Sequence, residues 1–331
     1  MSYRYLDLLG TATKFLTFSK VKSGDKLVVY AYASKDKDLV DAFYAAAVQL
    51  GTDAILSIVT TRKFLQEPSR MAIELMKQAD IVIDLPTVPW MYTNGLEEIL
   101  DSGVRMLNVV ASAESVAKLP PTDEIIQRSK MGAALFEKAN SVHVVSEAGT
   151  NITMGCQGRP GLGQDGVARE PGEWDNATTA IIAVAPIEDQ ADGTIVVNRG
   201  DTIYMHPHRR ICETPVRIAV RKGKIVSITG GTEAMLMQQW LSSFNDPNSY
   251  VIGHTGFGGD PRAEVASMEF TEWESLAGGV NVAFGSNMFR LLKGQNTAKS
   301  HMDIVLMNAT MHLDDQLVIE EGKFAHPDLK S

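Results

Sequence analysis

The chain has 331 residues, 44% of them apolar and 21% charged, which excludes wholesale disorder and leaves room for two domains. With 31 basic and 40 acidic residues it carries a formal charge of −9. The short mixed runs at 206–210 and 217–224 make no basic stripe, which argues against nucleic acid as a partner.

Taken in chain order, the first half alternates between two periods. Residues 27–32 (LVVYAY) read as a short buried strand, and 38–50 as a helix closed by Gly51. Strands follow at 54–60, 81–85, 105–110 and 141–146, with helices at 68–78, 96–102 and 123–140 between them. Strands apolar on both faces, alternating with helices, predict a parallel sheet covered by helices. From Gly149 the texture changes. Residues 155–172 hold six glycines and two prolines and read as an irregular loop, or a lid. Strands are expected at 180–185, 194–197, 202–205, 216–220, 225–228, 281–284, 304–307 and 317–320, and a helix at 233–243. The fold class is therefore α/β. A parallel-sheet α/β domain is expected over 1–148, and a β-rich mixed α+β domain, which holds the candidate metal ligands taken up below, over 149–331.

Two cysteines, Cys156 and Cys212, make neither a disulfide framework nor a four-cysteine zinc site, and suggest a reducing compartment. The first 18 residues lack the pattern of a secretory signal, and no apolar run approaches the length of a membrane span. A cytoplasmic chain with no membrane partner is expected.

The loop Gly158–Gly166 invites a phosphate-binding reading, but it does not leave a strand and enter a helix, as such a loop must. His301-x-Asp303 is sharper. Residues two apart on an extended segment share a face, so an imidazole and a carboxylate converge. With one further His they would make the facial triad of non-haem Fe(II) enzymes, and His254, flanked by glycines, is the best third ligand. The plainer alternative is a hydrogen-bonded His–Asp pair in a strand. His206 and His208 read as a solvated surface pair, and His143 as a strand residue with a satisfied hydrogen bond. Glu147, Glu173, Asp175 and Glu188 are supporting carboxylates or solvated ones. Trp90 and Trp174 wall a pocket or fill the core.

Several motifs in one order carry a resemblance. They are Glu170-Pro171-Gly172-x-Trp174-Asp175, Phe244-Asn245-Asp246-Pro247, Gly253-His254-x-Gly256-x-Gly258 with Pro261-Arg262-Ala263, and His301-x-Asp303-Ile304 with Leu313-Asp314-Asp315. Together they resemble the 2,5-dihydroxypyridine 5,6-dioxygenases, mononuclear Fe(II) ring-cleaving enzymes. More distantly the chain is similar to the two-metal aminopeptidases typified by aminopeptidase T. Where those carry a Glu and a His ligand, this chain has His254 and Asn281. That exchange shifts the donor set from hydrolytic zinc toward Fe(II).

The resemblance implies His254, His301 and Asp303 as iron ligands, Fe(II) as cofactor, and a small aromatic or heteroaromatic substrate with O2 as partners. It also implies a homo-oligomer. At places where the family uses two imidazoles and a carboxylate, this chain has Tyr92, Gln164 and Asn176, expected to orient substrate and oxygen. An amide is a poor general base, so the proton of a ring hydroxyl must go to another group or to solvent. Two alternatives stand beside this reading. One is a mononuclear metallohydrolase cleaving amides, and the other is a small-molecule binding protein.

Overall fold

A computed structural model describes residues 3–330. They form two compact units, residues 3–123 with 164–179, and 124–163 with 180–330. The cut expected at 148/149 lies, in this division, within the second unit.

The first unit is built on a five-stranded parallel sheet. Its spatial order is Asp53–Val59, Lys26–Tyr32, Ile81–Leu85, Arg105–Asn108 and Trp174–Asn176. Ile81–Leu85 and Arg105–Asn108 are buried at every residue, as their continuous apolar character requires. Asp53–Val59 is the half-exposed edge. The helices begin where a side chain caps them. Asp36 caps Lys37–Gln49, Ser69 caps Arg70–Met76, Thr93 caps Asn94–Asp101 and Ser112 caps Ala113–Lys118. The helix expected from 68 therefore starts at Arg70, and the one expected from 96 starts at Asn94. The fifth strand, Trp174–Asn176, was not expected. Its three residues are buried against Arg105–Asn108 although they lie far along the chain.

The helix Tyr3–Phe18 packs on Lys37–Gln49, with the Phe15 and Phe43 rings 6.2 Å apart. Gly10 lies on its exposed side, and a Cβ there would meet nothing within 4 Å. Gly10→Ala is expected to raise stability by about 0.5–1 kcal/mol, because alanine loses less backbone freedom on folding. Chemical denaturation of the two proteins checks it.

The second unit holds two antiparallel sheets of eight and seven strands around one shared core. Val142, Val144, Ile195 and Ile218 come from one sheet, and Ile203, Val282, Met302 and Ile304 from the other. Residues 155–172 are largely irregular, as expected, with a two-residue strand at Leu162–Gly163. The glycines there answer to packing. A Cβ on Gly161 would sit 2.0 Å from the Ala133 carbonyl, and one on Gly163 would sit 2.4 Å from that of Ser129, both on the helix Asp123–Lys138. No described helix is long and apolar enough to cross a membrane.

Candidate metal centre

Three neighbouring strands of the seven-stranded sheet build the site: Ile252–Gly258, Val280–Gly285 and His301–Leu306. On the last, Met302, Ile304 and Leu306 enter the core, so His301 and Asp303 point to the opposite face. Across from them stand Gly285 and Ala283, which place no side chain larger than a methyl beside them.

His254 reaches that face through a break in alternation. Ile252 pairs with Phe284 and Thr255 with Val282, so two residues, Gly253 and His254, stand opposite the single Ala283. This is a β-bulge, and its extra residue reverses which side chains face the core. Ile252 and Phe257, five positions apart, both point into the core. Strict alternation from Ile252 would have turned His254 into the core as well.

The three side chains converge. His301 Nε2 lies 3.0 Å from Asp303 Oδ1, and His254 Nε2 lies 3.3 Å from the same oxygen. The two rings stack with centroids 5.3 Å apart. One donor atom from each residue falls within 4.8 Å of the others, and all three residues are buried. His301 Nδ1–H donates to the Ser286 carbonyl at 2.8 Å, which leaves Nε2 as the nitrogen turned toward Asp303 and the one that ligates once its proton is displaced. Asp303 Oδ1 is buried without a hydrogen-bond partner, although two imidazole nitrogens crowd it. Such an orphaned oxygen is costly unless something shares it. A divalent cation satisfies the oxygen and both nitrogens at once, so the residues fit a metal.

The electrostatics agree. Burial holds His254 below the ordinary imidazole value, against the pull of Asp303, so the ring is neutral and ready to ligate. Burial also opposes charge on His301, but the Asp303 carboxylate outweighs it and raises that pKa. Burial pushes Asp303 upward, yet the imidazoles, His301 above all, hold it below the usual carboxylate range.

Two neighbours of the site had no signal in the sequence. Glu274, buried on the helix Phe270–Ser275, hydrogen-bonds Asp303. Burial and the Asp303 charge raise its pKa well above the ordinary value. Tyr204 lies directly opposite Asp303 in register, its ring stacked flat on Phe270 at 4.5 Å. Its hydroxyl pairs with His206 Nδ1 at 3.0 Å. His206 is thus half-buried and engaged, while His208 remains exposed; the expected solvated pair holds for His208 alone. Asn281, at the position where the aminopeptidases have a His, is buried on the site's face and donates through Nδ2 to the Glu274 carbonyl.

The other expected site residues belong to the first unit. Asp175 Oδ1 accepts from Gln164 Nε2 at 3.2 Å and from the Asn176 backbone N–H at 2.6 Å, so these two sit on one carboxylate. Burial and the neighbouring Asp165 raise that carboxylate's pKa well above the ordinary value. Tyr92 is half-buried in a left-handed backbone conformation, φ 65°, just before the cap of Asn94–Asp101.

Two imidazoles and one carboxylate on one face of the sheet form a donor set that oxygen-activating metal enzymes use. Comparison with known proteins makes the chain an enzyme, a ring-cleaving dioxygenase acting in aromatic degradation. Its sequence matches the NicX family, 2,5-dihydroxypyridine 5,6-dioxygenase, over residues 7–326, and it belongs to that family. It is 31% identical over 259 residues to the 2,5-dihydroxypyridine 5,6-dioxygenase of Pseudomonas putida KT2440, covering 76% of this chain and 73% of that one. The solved structure of 2,5-dihydroxypyridine dioxygenase from Pseudomonas putida KT2440 matches with a TM-score of 0.91 at 26% identity, with both chains covered in full. Wild-type AmpT from Thermus thermophilus shares the fold, with a TM-score of 0.70 at 13% identity over 97% of this chain and 99% of that one.

Proposed function

We propose that the chain is an Fe(II)-dependent dioxygenase that opens the ring of a hydroxylated N-heteroaromatic such as a dihydroxypyridine, with His254, His301 and Asp303 as the iron ligands. The observation that carries this reading is the buried, unpartnered Asp303 Oδ1 between two imidazole nitrogens. Bound Fe(II) supplies the redox chemistry by which O2 reacts with an electron-rich ring. The protein supplies the rest. The Ser286 carbonyl keeps the His301 ring in its ligating tautomer, and Glu274 holds Asp303 by a hydrogen bond. Tyr92, Gln164 and Asn176 orient the substrate and oxygen by hydrogen bonding. The same reading takes the enzyme to be a cytoplasmic homo-oligomer with neither nucleic acid nor membrane as partner.

The test is O2 consumption by anaerobically Fe(II)-loaded protein across hydroxypyridines, dihydroxybenzenes and aminophenols, with His301→Ala as control. Uptake with a dihydroxypyridine, lost in His301→Ala, is expected. No uptake with any ring at full iron occupancy would overturn the reading.

A further inference from the structure

Both imidazoles of the metal centre depend on backbone where the regular ladder is interrupted. His254 follows Gly253 in the bulge. The Ser286 carbonyl that accepts from His301 lies past the end of Val280–Gly285, at the start of the irregular stretch 286–300. Something other than strand pairing has to fix these two places, and one side chain reaches both.

Asn287 is fully buried, and each of its polar groups is used. Its Nδ2 carries two hydrogens. One goes to the Gly253 carbonyl at 3.2 Å and the other to Glu188 Oε1 at 3.1 Å. Its Oδ1 accepts from Asn296 N–H at 2.8 Å. The Asn287 backbone N–H donates to the Asn296 carbonyl at 3.0 Å, and its carbonyl accepts from Phe289 N–H at 2.8 Å.

Peptide planarity turns these bonds into a hold on the ligands. The Gly253 carbonyl and the His254 N–H share one rigid plane, and the Ser286 carbonyl and the Asn287 N–H share another. Through its carboxamide Asn287 fixes the plane that leads into His254. Through its own N–H it fixes the plane whose oxygen anchors the His301 ring.

The carboxamide is itself held in place. Glu188 Oε1 also accepts from Gln295 N–H at 2.7 Å, and Glu188 Oε2 pairs with Arg159 at 2.5 Å. Arg159 donates in turn to the Lys293 carbonyl. Glu188, open in the sequence between a supporting carboxylate and a solvated one, is a supporting one. Gly294 leaves room for the carboxamide, since a Cβ there would stand 2.2 Å from Asn287 Cγ. Two donors and an acceptor on one small planar group are what an amide offers. A carboxylate of the same shape has no donor, and it would set an oxygen against the Gly253 carbonyl and the Glu188 carboxylate.

We propose that Asn287 is a positioning residue of the dioxygenase, and that its carboxamide, braced on Glu188, sets the His254 and His301 rings at the separation a metal requires. It acts through the two peptides and not by ligation. The metal rests on the ligand assignment proposed above; the hold on the rings belongs to the metal-free chain.

The test compares three variants of the full-length protein. Asn287→Asp keeps the shape and removes the donors. Gly294→Ala crowds the carboxamide without changing its chemistry, and carries the same readouts where Asn287→Asp fails to fold. Val142→Ala, a core truncation in the other sheet of the unit, is the control for lost stability alone. In the metal-free protein, proton NMR follows the His301 Nδ1 proton, identified by its absence in His301→Ala. This proton exchanges slowly in the wild type and in Val142→Ala, and rapidly in Asn287→Asp and Gly294→Ala. Anaerobic titration then shows Fe(II) bound about 10–100-fold more weakly in those two, and unchanged in Val142→Ala. The ligand-field spectrum of the Co(II)-loaded protein shifts in the same two variants. A wild-type proton signal with wild-type Fe(II) affinity in Asn287→Asp would overturn the proposal. An equal loss of affinity in Val142→Ala would also overturn it, because the role would then be stability alone. Loss of the slow proton in Asn287→Asp, with no Fe(II) bound by the wild type, would instead remove the ligand assignment and leave Asn287 its hold on His301.

Discussion

Asp303→Ala is expected to abolish metal retention and ring cleavage together. Both imidazole nitrogens approach the same Asp303 oxygen, and that carboxylate carries the only negative charge among the three converging donors. Outer hydrogen-bond partners of a metal ligand are worth roughly 10–100-fold in affinity, so loss of the charged ligand should cost at least about 100-fold. Metal content after gel filtration and anaerobic metal titration check it, and retention of stoichiometric metal would refute the ligand assignment. The pH dependence follows from the same pair. The His301 pKa is raised by Asp303, so its contribution to metal-free stability is complete below the ordinary imidazole value of 6.5 and is lost as pH rises through the raised value. Asp303, held low, contributes above its ordinary 3.8 and loses that contribution as pH falls through the lowered value. A metal must displace the His301 proton, so its affinity runs the other way and rises through neutrality. Melting curves from pH 6 to pH 8 should therefore fall slightly without metal and rise with it. Parallel pH trends in the two states would mean that His301 is not a ligand.

How far the site could be read from the sequence depended on local geometry. His301 and Asp303 were legible as a pair because strand alternation alone puts positions two apart on one face. His254 was legible only through its glycine neighbours, since the bulge that turns it toward Asp303 depends on pairing with Val280–Gly285. Glu274 and Tyr204 carried no signal. One arrives on a six-residue helix, and the other by register with a strand about a hundred residues away. The parallel sheet was read strand by strand from apolar runs, except for its last member. Trp174–Asn176 is too short and too polar to announce itself, and only its place beside Arg105–Asn108 makes it a strand.

Gly285→Ala is expected to damage both the fold and the site. Gly285 lies opposite His301, with φ at +107°, where side chains are rarely tolerated. A Cβ there would stand 2.2 Å from the Ser300 carbonyl oxygen. The backbone cannot move aside cheaply. Gly285 N–H donates to the Val251 carbonyl at 2.8 Å, its own carbonyl accepts from Asn296 Nδ2 at 2.7 Å, and Ser286 N–H donates to Ser300 at 2.9 Å. Backbone strain and overpacking together should cost roughly 2–6 kcal/mol of stability. The next residue, Ser286, supplies the carbonyl that pins the His301 tautomer, so the molecules that still fold should bind metal about 10–100-fold more weakly. Denaturation without metal measures the first effect, and metal titration well below the melting transition measures the second. Gly10→Ala, with open space around its Cβ, is the matched substitution and should move stability in the opposite direction. If Gly285→Ala melted with the wild type, the backbone at this corner would have another way to hold His301 and the geometry derived for the site would be wrong. If it were destabilised but bound metal normally, the Ser286 carbonyl would have no part in fixing the imidazole.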